Sequence, residues 1–161
     1  MFIRKARRND LPAIMSIYEK AREFMRQNGN PTQWGNGRPE KSQIEDDIFN
    51  ECFYICENNG KITGVFALII GEEPTYQEIQ NGSWHSEDTY GTIHRLASDG
   101  TTKGIAKSCF DFCKAQCNYL RIDTHRDNLP MQSAIQKYGF VRCGLIHVDD
   151  GSERIAFDYH D

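Results

Sequence analysis

A short glycine-containing segment, Ser98 to Ala106, has residue types suited to binding phosphate groups. It lies between a strand-like sequence and one with helical periodicity, and such a turn presents unpaired backbone N–H groups that favour anions. Gly100 and Gly104 have no Cβ to keep a phosphate from the backbone, and Lys103 adds a positive charge. The spacing is neither Gly-x-Gly-x-x-Gly nor Gly-x-x-x-x-Gly-Lys-Ser/Thr. Taken alone, the segment is also compatible with an ordinary turn before a helix.

Three titratable residues lie on the strands predicted on either side of this segment. His94 lies in the strand over 92–97 that leads into it. An unperturbed imidazole has a pKa of about 6.5, so this side chain is suited to accept a proton near neutral pH. Asp123 and His125 share one face of the next strand by the two-residue period and offer a water-linked relay. Each of the three is also compatible with a purely structural hydrogen-bonding role.

The elements that must position these residues follow from hydrophobic periodicity and turn signals. We predict strands at residues 2–6, 52–56, 62–70, 92–97, 119–125, 140–146 and 154–159. Helical spacing follows possible caps at Asn9-Asp10, Ser42 and Asn128. A fourth helical pattern covers residues 105–117. Asn58-Asn59-Gly60 and Asp149-Asp150-Gly151 predict tight hairpin turns. Residues 71–86 are expected to form a long irregular excursion.

The length and composition of the chain exclude several classes of protein. A chain of 161 residues is expected to form a single domain over 1–161, with one core. A net charge of -4 argues against nucleic-acid binding. No apolar run approaches the roughly 20 residues that cross a bilayer, and no signal peptide follows the basic N-terminus, so a cytoplasmic location is expected. The six cysteines lack zinc-site spacing and are expected to be reduced packing residues with no bound metal.

Three blocks of sequence together resemble the GNAT superfamily of N-acetyltransferases. The segment Thr101-Thr102-Lys103-Gly104-Ile105-Ala106 is similar to the family's diphosphate loop, except that Thr101 replaces a long polar side chain. The run from Asp123 to Met131 is similar to the block in which an asparagine, here Asn128, lies beside the cofactor's pantetheine arm. The ending from Tyr138 to Gly144 resembles the family's last helix-to-strand junction, and the resemblance extends over nearly the whole chain.

The resemblance implies an α/β fold with a mixed, mostly antiparallel central sheet flanked by helices and splayed between its fourth and fifth strands. It implies that acetyl-CoA is the co-substrate, with its pantetheine arm added along the strand edge. The residues implied to bind it are Leu96, Ala97, Ser98, Thr101, Thr102, Lys103, Gly104, Ile105, Ala106 and Asn128.

The implied reaction is direct acetyl transfer to a primary amine of a small molecule or a peptide. An ammonium group must lose a proton before it attacks a thioester, and His94 is the first candidate base. The His-x-Leu-Ala pattern around it is similar to that of arylalkylamine acetyltransferases. Trp34 is expected to contact the acceptor, and Trp84, Glu72, Glu73 and Glu87 offer further aromatic or acidic contacts to a cationic amine.

One departure from the family pattern leaves alternatives open. Many members have a tyrosine four residues before the Gly-Phe pair to protonate the departing thiolate, but here that position is Ile135, and Tyr138 is expected to pack. A catalytically idle acyl-CoA sensor on the same fold is the first alternative, and a scaffold that no longer binds CoA is the second. The resemblance also makes a homodimer plausible.

Overall fold

A computed structural model describes all 161 residues, and its centre is one seven-stranded sheet. The strands are β1 (Phe2–Lys5), β2 (Phe53–Asn58), β3 (Lys61–Ile70), β4 (Gly91–Ser98), β5 (Tyr119–Thr124), β6 (Val141–His147) and β7 (Glu153–His160). Their spatial order is β1-β2-β3-β4-β5-β7-β6. All neighbours are antiparallel except β4 and β5, so the predicted mixed, mostly antiparallel sheet is confirmed.

Four helices cover the two faces of the sheet. They are α1 (Leu11–Gln27), α2 (Lys41–Phe49), α3 (Ile105–Gln116) and α4 (Leu129–Tyr138), and short 3-10 turns occur at Arg8–Asp10 and Pro74–Tyr76. On one face, α3 and α4 pack over a cluster that includes Phe66, Leu120 and Phe157. On the other face, α1 and α2 pack over Phe53 and Val65. None of the helices combines the length and the apolar character that a bilayer crossing requires.

The parallel join between β4 and β5 is short, and the two strands separate beyond it. Pairing is limited to Gly91 with Leu120, Thr92 with Arg121 and Ile93 with Ile122, although β4 continues to Ser98. The predicted splay between the fourth and fifth strands is thus present.

A β-bulge interrupts the pairing of β4 with β3, just beyond the point where β4 separates from β5. His94 pairs with Ala67 of β3 and Ala97 pairs with Val65, so three steps along β4 match two along β3. Arg95 in the bulge has a φ of 56°, which side chains rarely adopt.

Local details differ from the sequence-based expectations. Helix α2 begins at Lys41 after Glu40, and Ser42 lies inside it, so the predicted cap was wrong. Asp10 precedes α1, but its carboxylate accepts from Arg4 and from the backbone N–H of Arg7 instead of capping the helix. β5 ends at Thr124, so His125 lies outside the strand on which it was predicted.

All six cysteines are free thiols. Cys109 and Cys113 of α3 are fully buried in the cluster beneath that helix, as their helical spacing predicted.

Candidate functional site

A cleft of about 300 Å³ opens where β4 and β5 separate. Its floor is formed by residues 93–96 of β4 and 122–124 of β5. The loop before α2 and the start of α4 form further walls, and the turn between β6 and β7 closes one side. A parallel sheet that opens at the carboxyl ends of its strands is a common place for ligands.

The segment after β4 presents free backbone donors next to this cleft. The N–H groups of residues 102–107 find no acceptor within the chain, because the first backbone bond of α3 runs from Ser108 to Gly104. Gly100 and Gly104 have φ values of 79° and 83°, and no other part of the chain lies within 4 Å of a Cβ built on either. The open space and the helix N-terminus suit a phosphate group.

Thr101, in contrast, already uses both of its hydrogen-bond donors within the chain. Its N–H and its hydroxyl both donate to Asp99 Oδ1, at 2.9 and 2.7 Å. Although burial acts to raise the pKa of the Asp99 carboxyl, the Thr101 hydrogen bonds and the charge of Lys61 hold it below its usual value. Asp99 therefore fixes the start of the loop, and the free donors begin at Thr102.

Only some of the residues predicted to bind pantetheine line the cleft. Leu96 lines the cleft, whereas Ala97 and Ser98 are paired with Val65 and Gly64 of β3. Asn128 lines the cleft but is buried and caps α4, accepting from the Met131 N–H at 3.2 Å. Its amide also donates to Gln33 Oε1 at 2.9 Å, which holds the loop before α2 beside the start of α4.

His94, the candidate base, lies in the cleft opposite a carboxylate. Its Nε2 is 3.1 Å from Oε1 of Glu73, which belongs to the excursion between β3 and β4. The other oxygen of Glu73 accepts from the N–H and the hydroxyl of Thr75. Burial acts to raise the pKa of Glu73, but the contacts with His94 and Thr75 outweigh it and hold the pKa at about 2. The pair is thus a histidine beside a permanently ionised carboxylate.

A second polar pair from the same excursion was not found from the sequence. Tyr76 is buried, and its hydroxyl donates to Asp123 Oδ2 at 2.6 Å. The Tyr76 and His94 rings have centroids 6.3 Å apart. No periodicity or motif marks Tyr76, since it lies in an irregular segment. His125, the other relay candidate, lies apart from this pair, 3.4 Å from the Thr32 hydroxyl.

The aromatic and acidic acceptor candidates have different surroundings. Trp34 lines the cleft and packs edge-on against Tyr18, with ring centroids 5.4 Å apart. Trp84 is occupied, because the guanidinium of Arg121 lies over its ring at 4.1 Å. Glu72 and Glu87 are exposed and do not line the cleft.

The helix α4 contributes no tyrosine to the cleft. Ile135 is fully buried in the apolar cluster beneath α3 and α4. Tyr138 packs against Phe110 and donates to Asp111 at 2.7 Å, as its predicted packing role implies.

One cluster outside the cleft brings potential metal ligands together. His85, Cys143 and Asp158 place one ligand atom each within 4.8 Å of one another. Asp158 also accepts from the backbone N–H of His85 and from the Tyr119 hydroxyl, at 2.8 and 2.7 Å. These bonds fasten the excursion between β3 and β4 onto β7 and supply hydrogen-bond donors to the buried Asp158 carboxylate.

Comparison with known proteins gives structural matches only. No family model matches the sequence, and no curated protein matches it. The structure superposes on a GNAT-family acetyltransferase from Streptococcus agalactiae with a TM-score of 0.91 and 29% identity, covering 99% of this chain and 95% of that one. A candidate acetyltransferase from Staphylococcus aureus gives a TM-score of 0.73 and 26% identity, with 99% of both chains covered. A candidate acetyltransferase from Salmonella typhimurium, solved with acetyl-CoA, gives 0.63 and 14%, covering 99% of this chain and 92% of that one.

Proposed function

Because the chain belongs to the GNAT superfamily, we propose that it is an acetyl-CoA-dependent N-acetyltransferase that moves the acetyl group directly to a primary amine. One observation carries this proposal. The splay between β4 and β5 precedes a segment with unpaired N–H groups at residues 102–107, so an extended chain in the splay that ends in a diphosphate has backbone donors at its diphosphate end.

In the proposed complex, the pantetheine arm lies in the splay beside Leu96 and Asn128. The diphosphate lies on the N–H groups of Thr102 to Ala106, and Lys103 adds charge at the exposed surface. This arrangement would bring the thioester into the cleft beside His94.

In the proposed reaction, His94 accepts a proton from the acceptor ammonium, and the neutral amine attacks the thioester carbonyl. Glu73 orients the imidazole and stabilises its protonated form. The new N–C bond forms as the C–S bond breaks, CoA departs with the electron pair of that bond, and the nitrogen's surplus proton passes to the departing thiolate or to water. No cysteine lines the cleft, which favours direct transfer over a covalent enzyme intermediate.

A catalytically idle acyl-CoA sensor is the second candidate, favoured by one observation. Ile135 is buried where many relatives have a tyrosine, so the structure offers no phenol from α4 for the departing thiolate. A thiol has a pKa of about 8.5, and CoA can therefore depart as the thiolate with little assistance. Turnover distinguishes the two candidates, because both require CoA binding.

The experiment that tests the proposal is calorimetric titration with acetyl-CoA, followed by an assay of free CoA release with a panel of amines. Gly104→Glu should abolish binding, since it adds a negative charge at the proposed diphosphate position. Gly29→Glu is the matched control, because Gly29 has a φ of 80°, is equally open and lies at the end of α1, so it carries the same backbone strain. Failure of the unmodified protein to bind acetyl-CoA would overturn the proposal, and binding without turnover would favour the sensor.

A further inference from the structure

Arg154 is a buried cation in the cleft that has no carboxylate partner. Arg154 is 6% exposed. Its guanidinium donates to the backbone oxygens of Gln33 and Glu153 and to the Ser152 hydroxyl. No carboxylate oxygen of the chain lies within 4.0 Å of it. Buried charges are normally paired, because desolvation of an isolated ion is costly.

The other well-covered arginines show what such a side chain ordinarily does here. Arg95 bonds Asp47 at 2.7 Å, and Arg4 bonds Asp10 at 2.9 Å. Arg121 has no carboxylate either, but it is sandwiched between aromatic rings, 3.9 Å from the centroid of Tyr90. Arg154 has neither a counter-ion nor an aromatic face.

A second unpaired arginine lines the same cleft. Arg38 is exposed and makes no ion pair. The pKa of Arg154 is lowered mainly by burial, and the positive charge of Arg38 lowers it further. Asp123 and Asp150 act in the opposite direction on Arg154, but Asp123 is bound by Tyr76 and Asp150 by Ser152. The cleft therefore contains two arginines that form no ion pair within 4.0 Å, although the carboxylates of Asp123, Asp149 and Asp150 line it as well.

The sheet places Arg154 two strands away from the proposed base. Ile93 of β4 is level with Ile122 of β5, so His94 lies near the level of Asp123. Asp123 pairs with Ala156 of β7, and Arg154 precedes Ala156 by two residues on the same face. β5 lies between β4 and β7, and β4 separates from β5 beyond Ile93, so His94 and Arg154 line the same cleft from different strands.

We propose that the acceptor carries a carboxylate as well as its amine, and that Arg154 and Arg38 bind the carboxylate while the amine faces His94. The substrate class is therefore amino acids. This inference rests on the proposed acetyltransferase function and adds the chemistry of its acceptor. Two guanidinium groups suit the two oxygens of a carboxylate, and the backbone bonds of Arg154 hold its donors in place.

The test compares amino acids with their own amides in the acetyl-transfer assay. The amide lacks the carboxylate and has the less basic amine, so more of it is in the reactive free-base form at neutral pH. A preference for the acid therefore reports recognition of the carboxylate. We expect kcat/KM to be at least about 100-fold higher for the acid, since a site with unpaired polar groups rejects a ligand that leaves them unsatisfied.

Variants identify which arginines cause the preference for acids over amides. Arg154→Gln should raise KM for acids much more than for amides, and Arg38→Gln should do so to a smaller extent because Arg38 is exposed. Arg142→Gln is the control, because Arg142 is an exposed arginine of β6 that does not line the cleft, and it should keep the preference. Acetyl-CoA binding by each variant shows whether it has folded, and Arg38→Gln carries the test if Arg154→Gln does not fold.

The outcomes separate this inference from the proposed function. Failure to bind acetyl-CoA overturns the proposed function itself. Acetylation of amides or simple amines as efficiently as of amino acids overturns this inference alone. If acetyl-CoA binds and no acceptor turns over, calorimetric titration of the acetyl-CoA complex with amino acids and amides decides the matter, and equal or absent binding of the acids overturns the inference.

Discussion

At the scale of single residues, the pairing of His94 with Glu73 is the feature that the sequence could not supply. His94 is found from its place on the strand before the glycine segment. Glu73 is one of several acidic residues in an irregular stretch, and only the fold brings it within 3.1 Å of the imidazole. With a pKa of about 2, Glu73 remains ionised across the working range of most enzymes, so it cannot itself produce a rate change near neutral pH.

Glu73→Gln should therefore reduce the plateau of the kcat/KM profile by about tenfold. The reason is that the His94 imidazole loses the carboxylate that orients it for proton transfer. The measurement is kcat/KM from pH 5 to pH 9. Glu72→Gln is the matched control, since Glu72 is exposed and outside the cleft. An identical profile for both variants would contradict a role for Glu73.

At the scale of elements, the bulge in β4 determines which residues face the cleft. In a regular strand His94 and Leu96 would share a face, but here Leu96 packs beneath α3, while His94 pairs with Ala67, which belongs to the cluster beneath α1. The bulge is held from outside the strand. The Tyr18 hydroxyl donates to the Arg95 carbonyl at 2.6 Å, and Arg95 bonds Asp47 of α2 through Nε at 2.8 Å.

Tyr18→Phe should lower the free energy of unfolding by about 1–3 kcal/mol, because it leaves the half-buried Arg95 carbonyl without its donor. Acetyl-CoA affinity should fall as well, since the unusual φ of Arg95 loses its support. The measurements are urea unfolding and calorimetry. Tyr54→Phe removes a hydroxyl that makes no hydrogen bond within the chain, and its free energy of unfolding should stay close to that of the unmodified protein. Equal effects of the two changes would show that the bulge needs no such anchor.

At the scale of the whole molecule, local signals predicted the elements and non-local contacts decided the site. Helical spacing and the Asn59-Gly60 turn depend on neighbouring residues, so they are visible in the sequence. The 71–90 excursion has no period, and its position depends on the bond between His85 and Asp158, which are 73 residues apart. Asn128 was expected beside a ligand, and the sequence did not reveal that Gln33 is its partner.

Stability at low pH provides a test at this scale. Arg4 holds both carboxylate oxygens of Asp10, at 2.9 and 3.0 Å, and so ties β1 to the turn before α1. This hydrogen bonding lowers the pKa of Asp10 in the folded protein, despite the opposing effect of burial. A carboxyl with a lowered folded-state pKa stabilises the fold above its unfolded pKa of about 3.9, and the contribution is lost as the pH falls through the folded value.

Asp10→Asn should therefore reduce the free energy of unfolding by about 1 kcal/mol at pH 7, and the difference from the unmodified protein should shrink below pH 4. Urea unfolding at pH 7, 5, 4 and 3 measures it. Asp127→Asn is a suitable control, because Asp127 is a loop carboxylate with no arginine partner. If the difference in free energy of unfolding between the two proteins stayed constant from pH 7 to pH 3, the stabilising role of the ionised Asp10 would be contradicted.

The surroundings of the two tryptophans give the molecule an optical property. Trp34 lines the cleft, whereas Trp84 donates its indole N–H to the Tyr76 carbonyl at 3.0 Å and lies against Arg121. Indole emission follows the polarity around the ring. A molecule entering the cleft alters the surroundings of Trp34 and leaves those of Trp84 as they are. The native chain thus contains one fluorophore that senses the cleft and one that serves as an internal reference, without any added label.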